Sequence, residues 1–189
     1  PRVSEIVVTE HSELEATRHE ISFPVVMKVI GPVHKTDIGG VLLNIKSVEE
    51  MQSGFEQLMQ IDKAQGVLIQ PMITGTELFI GVKRESNFGH IILCGLGGIF
   101  VEVLNDFSSC LCPVSRTESI TMIQRLRAYK IIQGTRGRGG VNEELFSEII
   151  QRISALVTAA PEIVEMDINP LMGSLSDITA VDTRIRIEK

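Results

Sequence analysis

Apolar positions along this 189-residue chain follow two different periods, and their order predicts an α+β fold. Within residues 1–83, short runs rich in β-branched residues alternate with segments whose apolar residues recur every three or four positions. The order of elements is strand, helix, strand, strand, helix, strand, strand. This order is typical of helices packed on one face of a largely antiparallel sheet.

The second half of the chain continues the same two patterns. Apolar runs predict strands at residues 91–94, 163–171 and 177–187, and the last two should form an antiparallel pair. Ser-x-x-Glu capping boxes predict that helices begin after Ser12, Ser47 and Ser115, and the third helix should continue to about Tyr129. Asn142 caps a further helix that Pro161 ends.

Residues 24–30, PVVMKVI, place a lysine inside an otherwise apolar and largely β-branched strand. A buried ammonium group needs a partner, so Lys28 either binds an anion or reaches solvent along its alkyl chain. The loop at residues 31–40 adds a histidine, a second lysine and the pair Gly39–Gly40. Adjacent glycines let backbone N–H groups approach phosphate closely. A phosphate-binding loop and a β-hairpin with a long polar loop both fit these residues.

Acidic side chains interrupt the two C-terminal strands. Asp167 and Asn169 are two positions apart and share a face of the first strand, and Asp182 lies on the second. Converging carboxylate and amide oxygens suit a hard cation such as Mg²⁺ held together with phosphates. The alternative is ordinary polar alternation on a surface strand, but the neighbouring apolar residues favour burial and therefore the metal.

Composition excludes two classes of protein. The chain has 18 basic and 24 acidic residues, a net charge of −6, whereas a nucleic-acid-binding domain normally has a basic excess. No apolar run approaches the length needed to cross a bilayer. We therefore expect neither a nucleic-acid partner nor a membrane partner, and we expect a cytoplasmic protein.

Three cysteines, at positions 94, 110 and 112, fit a reducing compartment better than a disulfide scaffold. Cys110 and Cys112 would share a face of a strand, which allows a metal site. No second Cys or His pair at ligand spacing completes such a site, so buried structural thiols are favoured.

Several segments resemble the ATP-grasp domain of ADP-forming acyl-CoA synthetases, which include the acetate–CoA ligases, with the succinyl-CoA synthetase β subunit as a more distant relative. The matching segments are FPVVMK, HKTDIGGV, GVLIQPMITGTELFIGVK, GLGGIFVEV, EMDINPL and AVDTR. The resemblance covers essentially the whole chain. It implies an ATP-grasp fold of class α+β, with two α/β subdomains and the nucleotide bound between them. Residues 1–75 would form the N-terminal lid subdomain, and residues 76–189 the C-terminal subdomain with the metal-binding strands.

The resemblance also implies roles for individual residues. Residues expected to bind ATP or ADP are Lys28, Lys35, Gly39, Gly40, Gln70, Pro71, Met72, Ile73, Glu77, Gly97 and Gly98. Within this set, Lys28 would contact the adenine side and the α-phosphate, residues 70–73 would form the hinge behind adenine, and Glu77 would hold the ribose. Gly97 and Gly98 would lie near the phosphates or the reacting group of a partner.

Metal binding and catalysis are likewise implied by the resemblance. Asn169 and Asp182 would ligate Mg²⁺, with Asp167 close by. His34 would be the catalytic residue, a second phosphohistidine that carries a phosphoryl group. A neutral imidazole is a competent nucleophile, and the adjacent Lys35 disfavours its cationic form. The alternative is that His34 only hydrogen-bonds the loop.

The function implied is phosphoryl transfer between ATP/ADP and a histidine, within the reaction carboxylate + CoA + ATP ⇌ acyl-CoA + ADP + phosphate. No CoA-binding domain and no main phosphohistidine domain is recognised in these residues. Because the sequence begins with Pro1 rather than Met, we expect a fragment or subunit of a larger enzyme. Its partners would be those domains, in the same full-length chain or in a separate α subunit, and the assembly would be oligomeric and the isolated domain inactive.

Two other hypotheses are kept. The chain could be a non-catalytic, regulatory ATP-grasp-like domain of a protein acetyltransferase fusion, or an assembly domain whose polar strand residues are structural.

Overall fold

Two units make up the chain in the computed structural model, which describes residues 2–17, 20–32, 38–98, 101, 105–135 and 139–188. The N-terminal unit is Val3–Ile73, and the C-terminal unit is Thr74–Lys189 together with Pro1–Arg2. Each unit contains its own antiparallel sheet and its own hydrophobic core.

The N-terminal unit is a four-stranded sheet with two helices. Its elements are β1 (Ile6–Val8), α1 (His11–Thr17), β2 (Val25–Ile30), β3 (Val41–Ile45), α2 (Val48–Met59) and β4 (Gly66–Pro71). The strands lie in the order β1-β4-β2-β3 and all pair antiparallel. The predicted order of elements is therefore confirmed.

Apolar residues on alternate positions of β2 and β4 form one face of this sheet, and both helices cover that face. The core includes Met27 from β2 and Phe55 from α2. Gly54 allows a close approach here, since a Cβ at this position would lie 3.0 Å from Met27 Sδ and 3.1 Å from Leu42 Cδ1. The helix-covered face therefore consists of odd-numbered residues of β2, and the even-numbered residues point the other way.

The helix starts of this unit agree with the sequence only in part. Ser47 caps α2 as predicted, because its hydroxyl accepts a hydrogen bond from the backbone N–H of Glu50. The prediction that Ser12 caps α1 is wrong: the helix begins at His11. Glu13 accepts the backbone N–H groups of Thr9 and Glu10, so a carboxylate within the first turn satisfies them instead.

The C-terminal unit is a larger sheet covered by helices. Its elements are β5 (Thr76–Glu85), β6 (Gly89–Leu96), β7 (Phe107–Leu111), α3 (Arg116–Gln124), α4 (Tyr129–Gln133), α5 (Glu143–Ala159), β8 (Ile163–Gly173), β9 (Ile178–Ala180) and β10 (Thr183–Ile187). The order is β10-β8-β5-β6-β7, with β9 paired to β8, and every pairing between these strands is antiparallel. The strand β7 had not been predicted.

The core of this unit lies between one face of the sheet and helices α3 and α5. Phe146 and Ile150 of α5 are fully buried against residues such as Ile80 of β5. A hydrogen bond between the hydroxyls of Ser119 and Ser147, 2.7 Å long, joins the two helices in this interior. The opposite face of the sheet is the one that carries the polar residues singled out from the sequence.

The helix expected from Ser115 to about Tyr129 is two helices. Ser115 and Glu118 form the predicted reciprocal capping box, but α3 ends at Gln124. The carboxylate of Asp106 accepts the backbone N–H groups of Arg127 and Ala128. This distant partner replaces the helical hydrogen bonds that would have continued α3, so α4 starts separately. The caps at Asn142 and the end of α5 before Pro161 are as predicted.

The cysteines are free thiols. Cys94 is buried, as expected for a structural thiol, whereas Cys110 and Cys112 are only half-buried at the β7 edge. Burial raises the pKa of the Cys94 thiol to about 12. None of the described helices is both long and apolar enough to span a membrane.

Candidate nucleotide and metal site

The second of the two C-terminal strands predicted from the sequence is interrupted, whereas β8 runs unbroken opposite it. β9 and β10 both pair with β8, and the residues between them, Val181 and Asp182, lie opposite Pro170 and Asn169. The Asn169 N–H donates to the Asp182 carbonyl over 3.2 Å, and the Val181 N–H donates to the Pro170 carbonyl over 3.1 Å. The side chains of Asn169 and Asp182 therefore come from directly opposed positions, as expected for two ligands of one ion.

A β-bulge in β8 coincides with this interruption. Relative to β5, residue Ile168 pairs with Ile80 but Leu171 pairs with Leu78, so β8 contains one extra residue between them. Ile168 and Leu171 are both buried in the core although they differ in parity. The bulge thus reverses the inward–outward alternation of β8, and such bulges are over-represented next to active sites.

The burial expected for these polar residues is not found, because Asp167 and Asp182 are exposed and only Asn169 is half-buried. The acidic groups nevertheless interact electrostatically, and the Asp167 carboxyl is partly desolvated. Partial burial raises the pKa of this carboxyl above its usual value, and the negative charges of Asp182 and Glu165 raise it further. The cation Arg184, its cross-strand partner, opposes this shift. Two carboxylates that repel each other beside an amide oxygen form an arrangement that a divalent cation would stabilise.

The donor set fits Mg²⁺ chemically. Asp167, Asn169 and Asp182 offer only oxygen atoms, which is the preference of this ion, and water and phosphate oxygens normally complete its shell. Among the described residues, no three His, Cys, Asp or Glu side chains form a metal cluster. The set therefore suits an ion held jointly by protein and phosphates better than a metal enclosed by protein ligands alone.

The turn after β6 packs against Asn169 and Glu77. The Gly97 N–H donates to the Glu77 carbonyl over 2.7 Å. The Gly98 N–H donates to Asn169 Oδ1 over 3.0 Å, and Gly98 has a φ of +61°. The structure therefore brings together the predicted residues Glu77, Gly97, Gly98 and Asn169 within one unit.

The N-terminal unit presents Lys28 on the face of its sheet that the helices do not cover. Lys28 pairs with Leu68 of β4 and Val41 of β3, both half-buried, and its own exposure is 7%. Gln70 lies on the same face, opposite Val26, and its Nε2 donates to Glu5 Oε2 over 3.3 Å. A lysine and a glutamine, both predicted to contact the nucleotide, thus line this face of the sheet.

The remaining residues predicted to bind the nucleotide lie in segment 70–73 and in the loop at residues 31–40. Met72 donates its backbone N–H to the Pro24 carbonyl over 2.9 Å, which extends the ladder past the end of β4. Pro71, Met72 and Ile73 are half-buried. Gly39 has a φ of +69° and open space around it, and the neighbouring Gly40 carbonyl accepts the N–H of Val29. His34 and Lys35 lie outside the described residues.

Sequence reasoning missed one residue on the polar face of the C-terminal sheet, Phe79. It is two positions from Glu77 on β5, so both side chains point to the same side of the sheet, yet its exposure is only 7%. A Cβ on Gly95 would lie 2.7 Å from the Phe79 ring, and one on Gly81 would lie 3.6 Å from it. The ring therefore packs beside two glycines, and strict alternation along β5 was the signal that could have identified it.

Comparison with known proteins agrees with this geometry. Residues 1–187 match the family described as the ATP-grasp domain, and the chain belongs to that family. Within it, the chain is a β-subunit-like ATP-grasp module of the ADP-forming acyl-CoA synthetases, as its relatives show.

The β subunit of ADP-forming acetate–CoA ligase I from Pyrococcus furiosus is 40% identical to this chain, over 88% of this chain and 76% of the relative. The ADP-forming acetate–CoA ligase II of Archaeoglobus fulgidus is 41% identical over 94% of this chain, but only 26% of that relative is covered. The chain thus spans about three quarters of a separate β subunit and about a quarter of a longer ligase chain.

Among solved structures, acetyl-coenzyme A synthetase 1 of Ca. Korarchaeum cryptofilum in complex with coenzyme A, Ca-AMPCP and HgCl⁺ superposes with a TM-score of 0.92. It is 34% identical, and the match covers 100% of this chain and 86% of that one. A second structure of the same protein, with coenzyme A and Mg-AMPPCP, has a phosphohistidine segment that points towards the nucleotide binding site; its TM-score is 0.84, at 34% identity over 100% of this chain and 85% of that one. The predicted ATP-grasp fold is confirmed by these matches.

Proposed function

We propose that this chain binds Mg²⁺ with ATP or ADP and transfers a phosphoryl group between the nucleotide and a histidine. The complete reaction is carboxylate + CoA + ATP ⇌ acyl-CoA + ADP + phosphate. The observation that carries the proposal is the interruption between β9 and β10, where Asn169 of β8 and Asp182 lie opposite each other beside Asp167. The similarity to ADP-forming acetate–CoA ligases supports the same activity.

Each predicted residue has a physical role in this proposal. Asn169, Asp182 and Asp167 hold Mg²⁺, which when bound neutralises phosphate charge and orients the transferred group. Lys28 contributes a second positive charge, and a lysine on a buried strand is held in position before the substrate arrives. Glu77 binds the ribose hydroxyls, because a carboxylate accepts hydrogen bonds from both.

The other nucleotide contacts come from backbone and apolar groups. The segment 70–73 offers backbone hydrogen bonds to adenine, and Phe79 offers an apolar ring to a flat base. The loop residues Lys35, Gly39 and Gly40 contact phosphate oxygens, and His34 in the same loop accepts the phosphoryl group. A loop suits a group that moves between two sites, because loops can swing while strands hold their positions.

Catalysis requires partner domains. We propose that a CoA-binding domain and a phosphohistidine segment act together with this chain, either in a longer polypeptide or as a separate subunit. The two kinds of relative, a β subunit and a longer ligase chain, support either arrangement.

Calorimetric titration of ADP with and without Mg²⁺ tests the metal site. Asp182→Ala should abolish the Mg²⁺-dependent part of nucleotide binding and leave the fold intact, because the residue lies at a break in the ladder rather than in the core. Glu165→Ala is the matched control, since it removes the same charge from an exposed site on β8, where Glu165 pairs with Arg186. Unchanged Mg-ADP affinity in Asp182→Ala would refute the metal assignment.

Labelled ATP tests the role of His34 in the complete enzyme. Acid-labile, base-stable label on His34 is expected, and both His34→Ala and His34→Asn should lose turnover while nucleotide binding is kept. Full activity in both variants would mean that phosphate passes directly from the nucleotide to the partner histidine.

A further inference from the structure

The two N–H groups of the Gly97–Gly98 turn both donate to protein acceptors. Gly97 donates to the Glu77 carbonyl, and Gly98 donates to Asn169 Oδ1. Neither N–H is directed to an outside anion in this conformation, although a glycine-rich turn is commonly read as an anion-binding loop. The turn must therefore be explained by what it does to the residues that it contacts.

Both positions exclude any side chain. A Cβ on Gly98 would overlap the Glu77 carboxylate, and its φ of +61° is itself unfavourable for other residues. A Cβ on Gly97 would lie 2.5 Å from the Leu78 carbonyl oxygen and 3.1 Å from Asn169 Oδ1. The turn thus fits closely between Glu77 and Asn169, two side chains from different strands.

We propose that Gly98 is a positioning residue for the nucleotide site. Its N–H fixes the amide of Asn169 with Oδ1 forward, and its missing Cβ leaves the space that the Glu77 carboxylate occupies. One glycine therefore sets the distance between the metal ligand and the ribose ligand. This inference rests on the proposed function, in which Asn169 binds Mg²⁺ and Glu77 binds the ribose.

The chemistry of the amide makes both contacts compatible. An amide oxygen has two lone pairs, so Oδ1 can accept the Gly98 N–H and still ligate a cation. Because only the oxygen can accept this hydrogen bond, the contact also prevents the amide from turning its NH₂ group towards the metal. Partners that orient a metal ligand in this way typically change metal affinity 10- to 100-fold when they are removed.

The decisive comparison is Gly98→Ala against Gly89→Ala. Gly89 also has a positive φ, +79°, but nothing lies within 4 Å of the position where its Cβ would be. Both substitutions therefore introduce similar backbone strain, and only the one at Gly98 places a Cβ where the Glu77 carboxylate lies. We expect Gly98→Ala to weaken Mg-ADP binding about 10- to 100-fold in calorimetry, while Gly89→Ala binds like the wild type and both variants lose similar thermal stability.

A second experiment, in a Glu77→Ala variant, distinguishes a positioning role of Gly98 from direct contact of Gly98 with the nucleotide. Once Glu77→Ala has removed the group that a Cβ would overlap, adding Gly98→Ala should change Mg-ADP affinity by less than about threefold. This pair also decides the question if the single variant fails to fold. A further loss of tenfold or more in the Glu77→Ala background would overturn the positioning role.

Two other results would also overturn it, and they differ in what they say about the site. If the wild type binds Mg-ADP and Gly98→Ala binds it equally well, the proposed function stands and the positioning role falls. If the wild type does not bind Mg-ADP at all, the proposed function falls and the positioning role falls with it.

Discussion

The Lys28 side chain holds a positive charge at 7% exposure, on a strand whose other residues are apolar. Burial of an ammonium group costs free energy unless neighbouring polar groups or a ligand compensate it. Gln70 lies on the same face of the sheet, so the local environment is not purely apolar. Under the proposed function, Lys28 is the residue of this face that contacts an anionic ligand.

Lys28→Ala should lower ATP affinity by an order of magnitude or more, since a charge-assisted contact to phosphate contributes roughly 1.5–3 kcal/mol. Isothermal titration of the folded variant gives the measurement. Lys46→Ala is the control, because Lys46 is exposed. Normal ATP binding combined with lower thermal stability would assign Lys28 a structural role instead.

The surroundings of Asp167 make the ionised form of its carboxyl unfavourable in the folded protein. Its folded-state pKa is raised by partial burial and by the charges of Asp182 and Glu165, so the ionised form costs stability as the pH rises through that pKa. We expect Asp167→Asn to raise the melting temperature of the nucleotide-free protein near pH 7.

The gain should shrink as the pH falls and should vanish below the ordinary value of about 3.9, where the wild-type carboxyl is protonated in both the folded and the unfolded state. Melting curves recorded from about pH 3 to about pH 8, on both sides of that value, provide the test. A variant that melts below the wild type at pH 7 would contradict the expected repulsion. The same substitution should weaken Mg-ADP binding, since an amide carries no charge to offer the metal.

At the scale of elements, helix starts follow local chemistry where the partners are close in sequence. In α3, Ser115 accepts the N–H of Glu118, and the Glu118 carboxylate accepts the N–H of Ser115 in return. The Ser115 hydroxyl also donates to the Glu118 carboxylate, and this hydrogen bond, together with the one from the Ser115 N–H, lowers the pKa of the Glu118 carboxyl. The helix therefore has a defined first turn that does not depend on distant contacts.

Ser115→Ala should lower the free energy of unfolding by about 1 kcal/mol, the usual cost of removing a side-chain cap. Denaturant unfolding of the variant measures this change. Ser176→Ala is a suitable control, because Ser176 is exposed in the turn after β8 and caps no helix. A loss equal to that of the control would show that the capping box contributes nothing measurable.

Elements that depend on distant partners could not be predicted from the sequence. The helix after Ser115 was predicted to be longer than it is, because nothing in the sequence near Arg127 indicates that Asp106 accepts its backbone N–H. The strand β7, with the sequence FSSCL, was missed because its residues lack a continuous apolar pattern. The start of α1 was wrong because Ser12 and Glu15 match the Ser-x-x-Glu pattern, whereas the carboxylate that accepts backbone N–H groups at this helix start is that of Glu13, which has no Ser or Thr three residues before it.

The residues of the candidate site could likewise be predicted from the sequence only in part. Asp167, Asn169 and Asp182 could be found because carboxylates and amides stand out in apolar strands, and the ATP-grasp resemblance gave them roles. The bulge that brings them together could not be found, since it appears only in the pairing of β8 with β5. The contact of Gly98 with Asn169 spans 71 positions and has no local signature.

The whole molecule consists of two units, each stabilised by its own aliphatic core. The predicted nucleotide ligands are distributed over both units, with Lys28 in one and Asn169 in the other. A nucleotide that binds the folded chain and not the unfolded chain should stabilise the folded state.

Mg-ADP at 100 times its dissociation constant should raise the free energy of unfolding by about 2.7 kcal/mol, by mass action alone. Thermal or denaturant unfolding with and without the ligand measures the effect. Asp182→Ala should show little of this gain under the same conditions. A wild-type curve that does not move at saturating nucleotide would contradict nucleotide binding by this chain.

The interruption between β9 and β10 has a consequence for how this sheet can change. Relative to β5, the bulge adds one residue to β8, and the facing segment between β9 and β10 adds one as well, so Asn169 and Asp182 form an inserted pair. Deleting both residues would restore an unbroken alternation, with every core residue still facing inward, whereas deleting either one alone would shift the register of its strand. Under the proposed function, this paired deletion removes two of the three metal ligands, Asn169 and Asp182, in one step, which would give evolution a short route from a ligase module to a folded domain that binds no metal.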